Sequence, residues 1–198
     1  MSRHLGQLLL VIHDWGAALG FDWAARHPDR VKGICYMEAM VRPRKWSDLP
    51  EAYQKTFKGF RSEEGFNAAM DANVFIEKVL QNGVIRPLSD DEMQAYRTPF
   101  ENYEDRVPTI AFPREIPFDG DPADNHTRVQ AYSDWLTESD LPKLFINTTE
   151  GHALIGPNRE FCRTWKNQKE ITLNGKHYLQ EDSPDELGEA IAEWIPNL

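Results

Sequence analysis

Hydrophobic positions fall in a few short runs separated by long amphipathic stretches. Residues 7–13, QLLLVIH, make an apolar, β-compatible run. The next segment, AALGFDWAARHP, sets Ala17, Leu19, Phe21 and Ala24 among small and charged residues at helical spacing and ends at Pro28. This predicts strand, tight turn, helix. VKGICYMEAM predicts a second buried strand, and the short link to it from the helix is what a right-handed βαβ crossover in a parallel sheet requires. From Val41 to about Pro142 the character changes. PRKWSDLPEAYQKTFKGF, SEEGFNAAMDANVFIEKVLQNG and LSDDEMQAYRTPFENY are helix-length pieces with caps and turn residues, and no strong strand lies among them. Sheet pattern resumes at LPKLFINTTEG, followed by a helical NREFCRTWKN, a short strand EITLNG and the loop GKHYLQEDSP. The chain closes on DELGEAIAEWI, an amphipathic helix with acidic residues in its first turn, where the helix dipole favours them. The predicted fold class is α/β, a parallel-sheet core interrupted by a helical insertion.

Composition narrows the function classes. At 198 residues with 40% hydrophobic content, the chain suits one domain or a core with an inserted subdomain. A net charge of -10 argues against nucleic acid or an anionic membrane surface as partner, because a polyanion is repelled before contact forms. Cys35 and Cys162 lie far apart with no CxxC or Cys/His ligand spacing, so two buried thiols in a reducing cytosol are expected, with no metal site. MSRHLGQ lacks the apolar stretch of a secretory signal and no run is long enough to span a bilayer, which together predict a cytoplasmic protein.

Chemistry concentrates where the first strand meets its helix. Residues at the carboxyl ends of parallel strands face the crevice where open α/β sheets bind ligands. His13-Asp14-Trp15-Gly16 has the form of a nucleophile elbow, a sharp strand-to-helix turn with a reactive side chain at its apex and a glycine two residues on. Asp14 is also a favoured helix N-cap, and the turn alone fits either role. A carboxylate nucleophile needs a general base and an orienting acid at other strand ends. Glu38 follows the apolar ICYM, and His177 lies in the loop between the last short strand and the terminal helix. His152, in TTEGHALIG, is a rival base whose loop also follows a predicted strand; His13 is expected to pack beneath the elbow. His4, His27 and His126 lie in terminal, helix-end and polar-loop contexts.

With those residues placed, the chain resembles the haloalkane dehalogenases of the α/β-hydrolase superfamily, in the subfamily with an Asp-His-Glu triad. HDWGAALGFDWAARHPDRV, YMEAMV, NVFIEKVL, FPREIPF, LPKLFIN and HYLQEDSPDELG occur in the family's order and together cover nearly the whole chain. The resemblance implies an α/β-hydrolase core over 1–40 and 142–198, with a helical cap domain over 41–141. It also implies Asp14 as nucleophile, Glu38 as acid, His177 as base, and Trp15, Phe75, Phe112 and Pro113 as halide- and substrate-binding residues. A small haloalkane and water are the implied partners, and no cofactor or metal is implied. A carboxylate is ionised at neutral pH and suits displacement at a saturated carbon, which offers no carbonyl to attack.

The sequence departs from the family pattern in three ways. The elbow lies within the first fifteen residues, whereas the family places several strands ahead of it. No HGNP segment is present, the loop that in the family supplies a halide-binding asparagine and an oxyanion-hole amide. TTEGHALIG carries an extra residue and a histidine. Strand 7–13 is therefore expected at a sheet edge, where an unpaired apolar flank promotes self-association. Coelenterazine-type luciferases and epoxide hydrolases share the motifs or the aspartate elbow, with Tyr53, Tyr96, Tyr103 and Tyr132 available to the latter, and an inactive N-terminally truncated fragment is a further alternative.

Overall fold

The computed structural model describes residues 6–198; residues 1–5, which hold His4 and begin the 1–40 segment, lie outside the described residues. Strands β1 (Leu8–His13), β2 (Val31–Met37), β3 (Lys143–Thr148) and β4 (Gln168–Leu173) form one parallel sheet in the order β1-β2-β3-β4. Each strand starts on the same edge, so every connection crosses over a face of the sheet. Pairing of His13 with Met37 and of Met37 with Ile146 aligns the carboxyl ends. Asp14 and Glu38 therefore leave the sheet side by side.

Strand alternation sorts the core into two layers. Ile34, Tyr36 and Phe145 point to one face and pack with Ala17, Phe21 and Ala24 of helix α1 (Asp14–Arg26). Tyr36 stacks on Phe145 at 5.2 Å and meets Phe21 edge-on at 5.5 Å. Cys35, Met37, Leu144 and Ile146 point to the other face, against Leu187, Ala190 and Trp194 of the terminal helix, Pro184–Trp194. Each large side chain so buried contributes about 1.5–3 kcal/mol before the entropic cost of ordering it. Both cysteines are free and buried. β1 pairs only with β2 among the described residues, and Val11 on it is 48% exposed.

The segment between β2 and β3 is helical. It holds α2 (Glu51–Phe60), α3 (Glu63–Ala72), a π-helical stretch over Phe75–Leu80, α4 (Asp90–Arg97), α5 (Val107–Arg114) and α6 (Ala123–Glu138). Serines start two of these helices: the Ser62 hydroxyl accepts from Gly65 N–H at 3.1 Å, and Ser89 forms a capping box with Glu92. Arginines tie the helices together through orphan carbonyls, Arg114 donating to Phe60 and Ser62 and Arg106 to Met70. Helix α6 packs on α1 and adds Val129, Tyr132 and Leu136 to the core, with the Tyr132 hydroxyl donating to the Met40 carbonyl at 2.6 Å. No helix among the described residues is long and apolar enough to cross a membrane.

Candidate active site

The turn from β1 into α1 is sharp, and its backbone is strained. Asp14 is the first residue of α1 and has φ +48°, a left-handed conformation that costs a non-glycine residue on the order of 1–2 kcal/mol. His13, not Asp14, takes the N-cap position, and it makes no side-chain cap bond. The cap reading of Asp14 therefore fails. Glu38, one residue past β2, is strained in the same way, with φ +43°. Nothing in the amino-acid pattern announces this second strained turn.

His177 joins the two carboxylates. Its Nδ1 lies 3.1 Å from Glu38 Oε2 and its Nε2 lies 3.8 Å from Asp14 Oδ1. An ionised carboxylate can only accept, so Nδ1 carries the hydrogen and Nε2 presents its lone pair toward Asp14. Glu38 is 1% exposed, and its oxygens accept the backbone N–H groups of His152, Ala153 and Leu154 at 2.7, 2.8 and 3.2 Å. Burial alone raises its pKa, but the bond from His177 and these amides win and hold the carboxyl at about 2. For His177, burial works against the cation, yet the Glu38 bond and the Asp14 charge raise its pKa above the usual value.

The neighbouring histidines separate cleanly. His13 Nε2 lies 2.8 Å from the His177 carbonyl, with the two rings 4.8 Å apart, so it braces the backbone beneath the elbow as expected. His152 does reach the site: its ring lies parallel to that of His177 at 6.2 Å and 5.6 Å from Tyr53. Its backbone, not its ring, bonds Glu38.

A cavity of about 260 Å³ opens in front of Asp14, and Trp15, Phe75, Phe112 and Pro113 all line it. Trp15 and Phe112 meet with ring centroids 5.4 Å apart. Phe75 reaches the cavity from the π-helical stretch, a local widening common at functional sites. Phe57, Tyr178 and Arg44 also line it and were not singled out by sequence. Tyr178 follows His177 directly, so its place could have been inferred; Arg44, in a loop of ordinary polar composition, carried no such signal. A larger, open groove of about 980 Å³ lies beyond Arg44, between the Arg42–Lys45 loop and α6, and holds none of the triad candidates. No cluster of three potential metal ligands occurs among the described residues.

The family model of the α/β-hydrolase fold matches residues 4–184. A haloalkane dehalogenase of Sphingobium indicum is 52% identical over 97% of this chain and 65% of its own length, and one of Mycolicibacterium smegmatis is 47% identical over 97% and 62%. The crystal structure of a haloalkane dehalogenase from Bradyrhizobium elkani superposes with a TM-score of 0.90 at 42% identity, over 96% of this chain and 67% of that one. The chain belongs to the haloalkane dehalogenase family. It spans somewhat less than two thirds of the length of the Sphingobium dehalogenase, 65%. A more distant dehalogenase structure, from Agrobacterium tumefaciens, still superposes with a TM-score of 0.90 at 28% identity. The fold is thus retained across the family at widely differing identity.

Proposed function

We propose that this chain hydrolyses the carbon–halogen bond of small haloalkanes, giving alcohol and halide through an ester on Asp14. The observation that carries the proposal is the bridging of His177 between Glu38 and Asp14, beside an apolar cavity that Asp14 helps to line. In the first step an Asp14 oxygen forms a bond to the halogen-bearing carbon as the carbon–halogen bond breaks, and the halide leaves with the bonding pair. Trp15 lines the cavity beside Asp14, and its indole N–H is the donor that would stabilise the leaving halide. Phe75, Phe112 and Pro113 line the cavity and would hold the alkyl chain.

In the second step His177 Nε2 takes a proton from water while the oxygen attacks the carboxyl carbon of the Asp14 ester. Collapse releases the alcohol, which recovers that proton from His177, and the second proton of the attacking water then leaves the Asp14 carboxyl through His177 to solvent, which restores the carboxylate. Glu38 keeps Nδ1–H bound throughout and stabilises the transient imidazolium. The N–H of Trp15, in the first turn of α1, has no acceptor within the helix and is a candidate oxyanion donor. Within 41–141, the helices ahead of α6 would act as the cap over this chemistry, α6 itself packing on α1. The buried thiols Cys35 and Cys162 favour a reducing, cytoplasmic setting, and the open edge of β1 favours self-association. Steady bromide release from a bromoalkane that Asp14→Asn abolishes is the expected result. Asn tolerates the left-handed turn, so the variant keeps the fold. Light emission from coelenterazine without halide release would favour the luciferase reading instead, and no release from folded chain would favour an inactive fragment.

A further inference from the structure

Arg44 is 6% exposed and is the only Lys or Arg among the described residues lining the Asp14 cavity. Its Nη2 donates to the Ala153 carbonyl at 3.1 Å, and the rest of its five-donor fork meets no acceptor among the described residues. Asp14 and Glu38 act on it through space, but neither forms an ion pair with it: the Glu38 oxygens are occupied by His177 and the 152–154 amides. Arg44 also borders the outer groove, and a largely buried guanidinium without a bonded carboxylate is stabilised by an anion that uses its remaining donors. The Ala153 bond holds it on the loop that cradles Glu38, whereas the Trp15 indole packs with Phe112. The two anion donors of the cavity therefore hang on different parts of its wall.

We propose that Arg44 forms an anion subsite in this cavity that takes the carboxylate of a halogenated carboxylic acid, with the halogen on the carbon remote from that carboxylate. The proposal rests on the dehalogenase reading for the reaction, but not for the binding. Arginine matches a carboxylate with two parallel N–H donors, a geometry that a single halide ion cannot use. It also offsets the repulsion that Asp14 and Glu38 exert on an anionic substrate. The aromatic lining takes the alkyl chain between the two ends.

The test compares a bromohexanoate brominated at its terminal carbon with bromohexane, for the unaltered chain, Arg44→Met and Arg44→Lys. The ratio of kcat/KM for the acid over the neutral substrate falls at least ~10-fold in Arg44→Met, and Arg44→Lys lies between. Calorimetric binding of hexanoate and of hexanol gives a readout free of turnover, and the hexanoate-to-hexanol affinity ratio falls by a similar factor. Circular dichroism melts verify that each variant is folded. An unchanged affinity ratio in folded Arg44→Met overturns the subsite whatever the turnover. A parallel loss for both substrates with hexanoate affinity intact overturns it too and assigns Arg44 to the halide or to Asp14. No halide release from any form, with hexanoate bound and then lost in Arg44→Met, sinks the dehalogenase reading and leaves the subsite standing.

Discussion

The two carboxylates at the strand ends share a left-handed backbone but fill different roles, and single substitutions separate strain from chemistry. Asp14 at φ +48° carries strain that glycine does not, so Asp14→Gly raises stability by roughly 1 kcal/mol while abolishing halide release. Urea unfolding beside a bromide assay measures both, and a loss of stability contradicts the strained-elbow account. Gly151 supports Glu38 by absence: a Cβ there lies 2.5 Å from Glu38 Oε1 and 2.6 Å from Thr148 Oγ1. Gly151→Ala therefore pushes the carboxylate off the 152–154 amides, costs on the order of 1–3 kcal/mol and lowers kcat more than it raises KM. Titration follows the same contacts. His177 must be neutral to accept a proton, so kcat falls along an acid limb as the ring protonates, and in the ester, where Asp14 is uncharged, the Glu38 bond is what favours the cation. Glu38→Gln removes the charge that favours the cation, so that limb moves to lower pH and kcat falls. The Glu38 pKa is depressed to about 2 in the fold, so its stabilising contribution is full above the ordinary value of 4.5 and is lost as pH falls from there toward 2. Acid unfolding followed by fluorescence reads that loss. Asp14 and Glu38 were legible in sequence because each follows an apolar strand, and His177 because it lies in the loop between the last short strand and the terminal helix. The 152–154 cradle and Arg44 were not, because backbone donors and a loop side chain leave no pattern.

At the scale of elements, apolar runs located the four strands and helical spacing located α1, with ends up to three residues out. Helices α2, α3 and α4 were legible as helix-length pieces with caps, Ser62 and Ser89 among them, whereas α5 and α6 were not read as separate helices. Two features escaped. The π-helical turn that delivers Phe75 depends on how the helix is seated, not on its composition. Helix α6 lies in the stretch read as a cap, yet it packs on α1 and buries Tyr132, a tertiary choice that helical periodicity does not disclose. The edge of β1 leads to a prediction at this scale. Val11 is 48% exposed and Leu19 on α1 61%, so concentrated chain is expected to associate reversibly, and Val11→Lys to restore the monomer by placing a charge on the edge. Multi-angle light scattering across a concentration series checks this, and a monomer at every concentration rules the edge out as the contact.

For the whole molecule, a four-stranded parallel sheet suffices to bring Asp14, Glu38 and His177 to one rim, because strand order follows chain order and the carboxyl ends align. The chain carries a net charge of -10, and the only Lys or Arg among the described residues lining the Asp14 cavity is Arg44, which sets a local attraction for an anionic substrate against the overall charge. The central claim is a covalent ester on Asp14 that His177 resolves. Intact-mass spectrometry of His177→Gln after incubation with a bromoalkane tests it most directly. The account predicts one alkyl group added per chain, located on Asp14 by peptide mapping, with one equivalent of bromide released and no turnover beyond it. An unmodified chain, or an adduct on a residue other than Asp14, contradicts it.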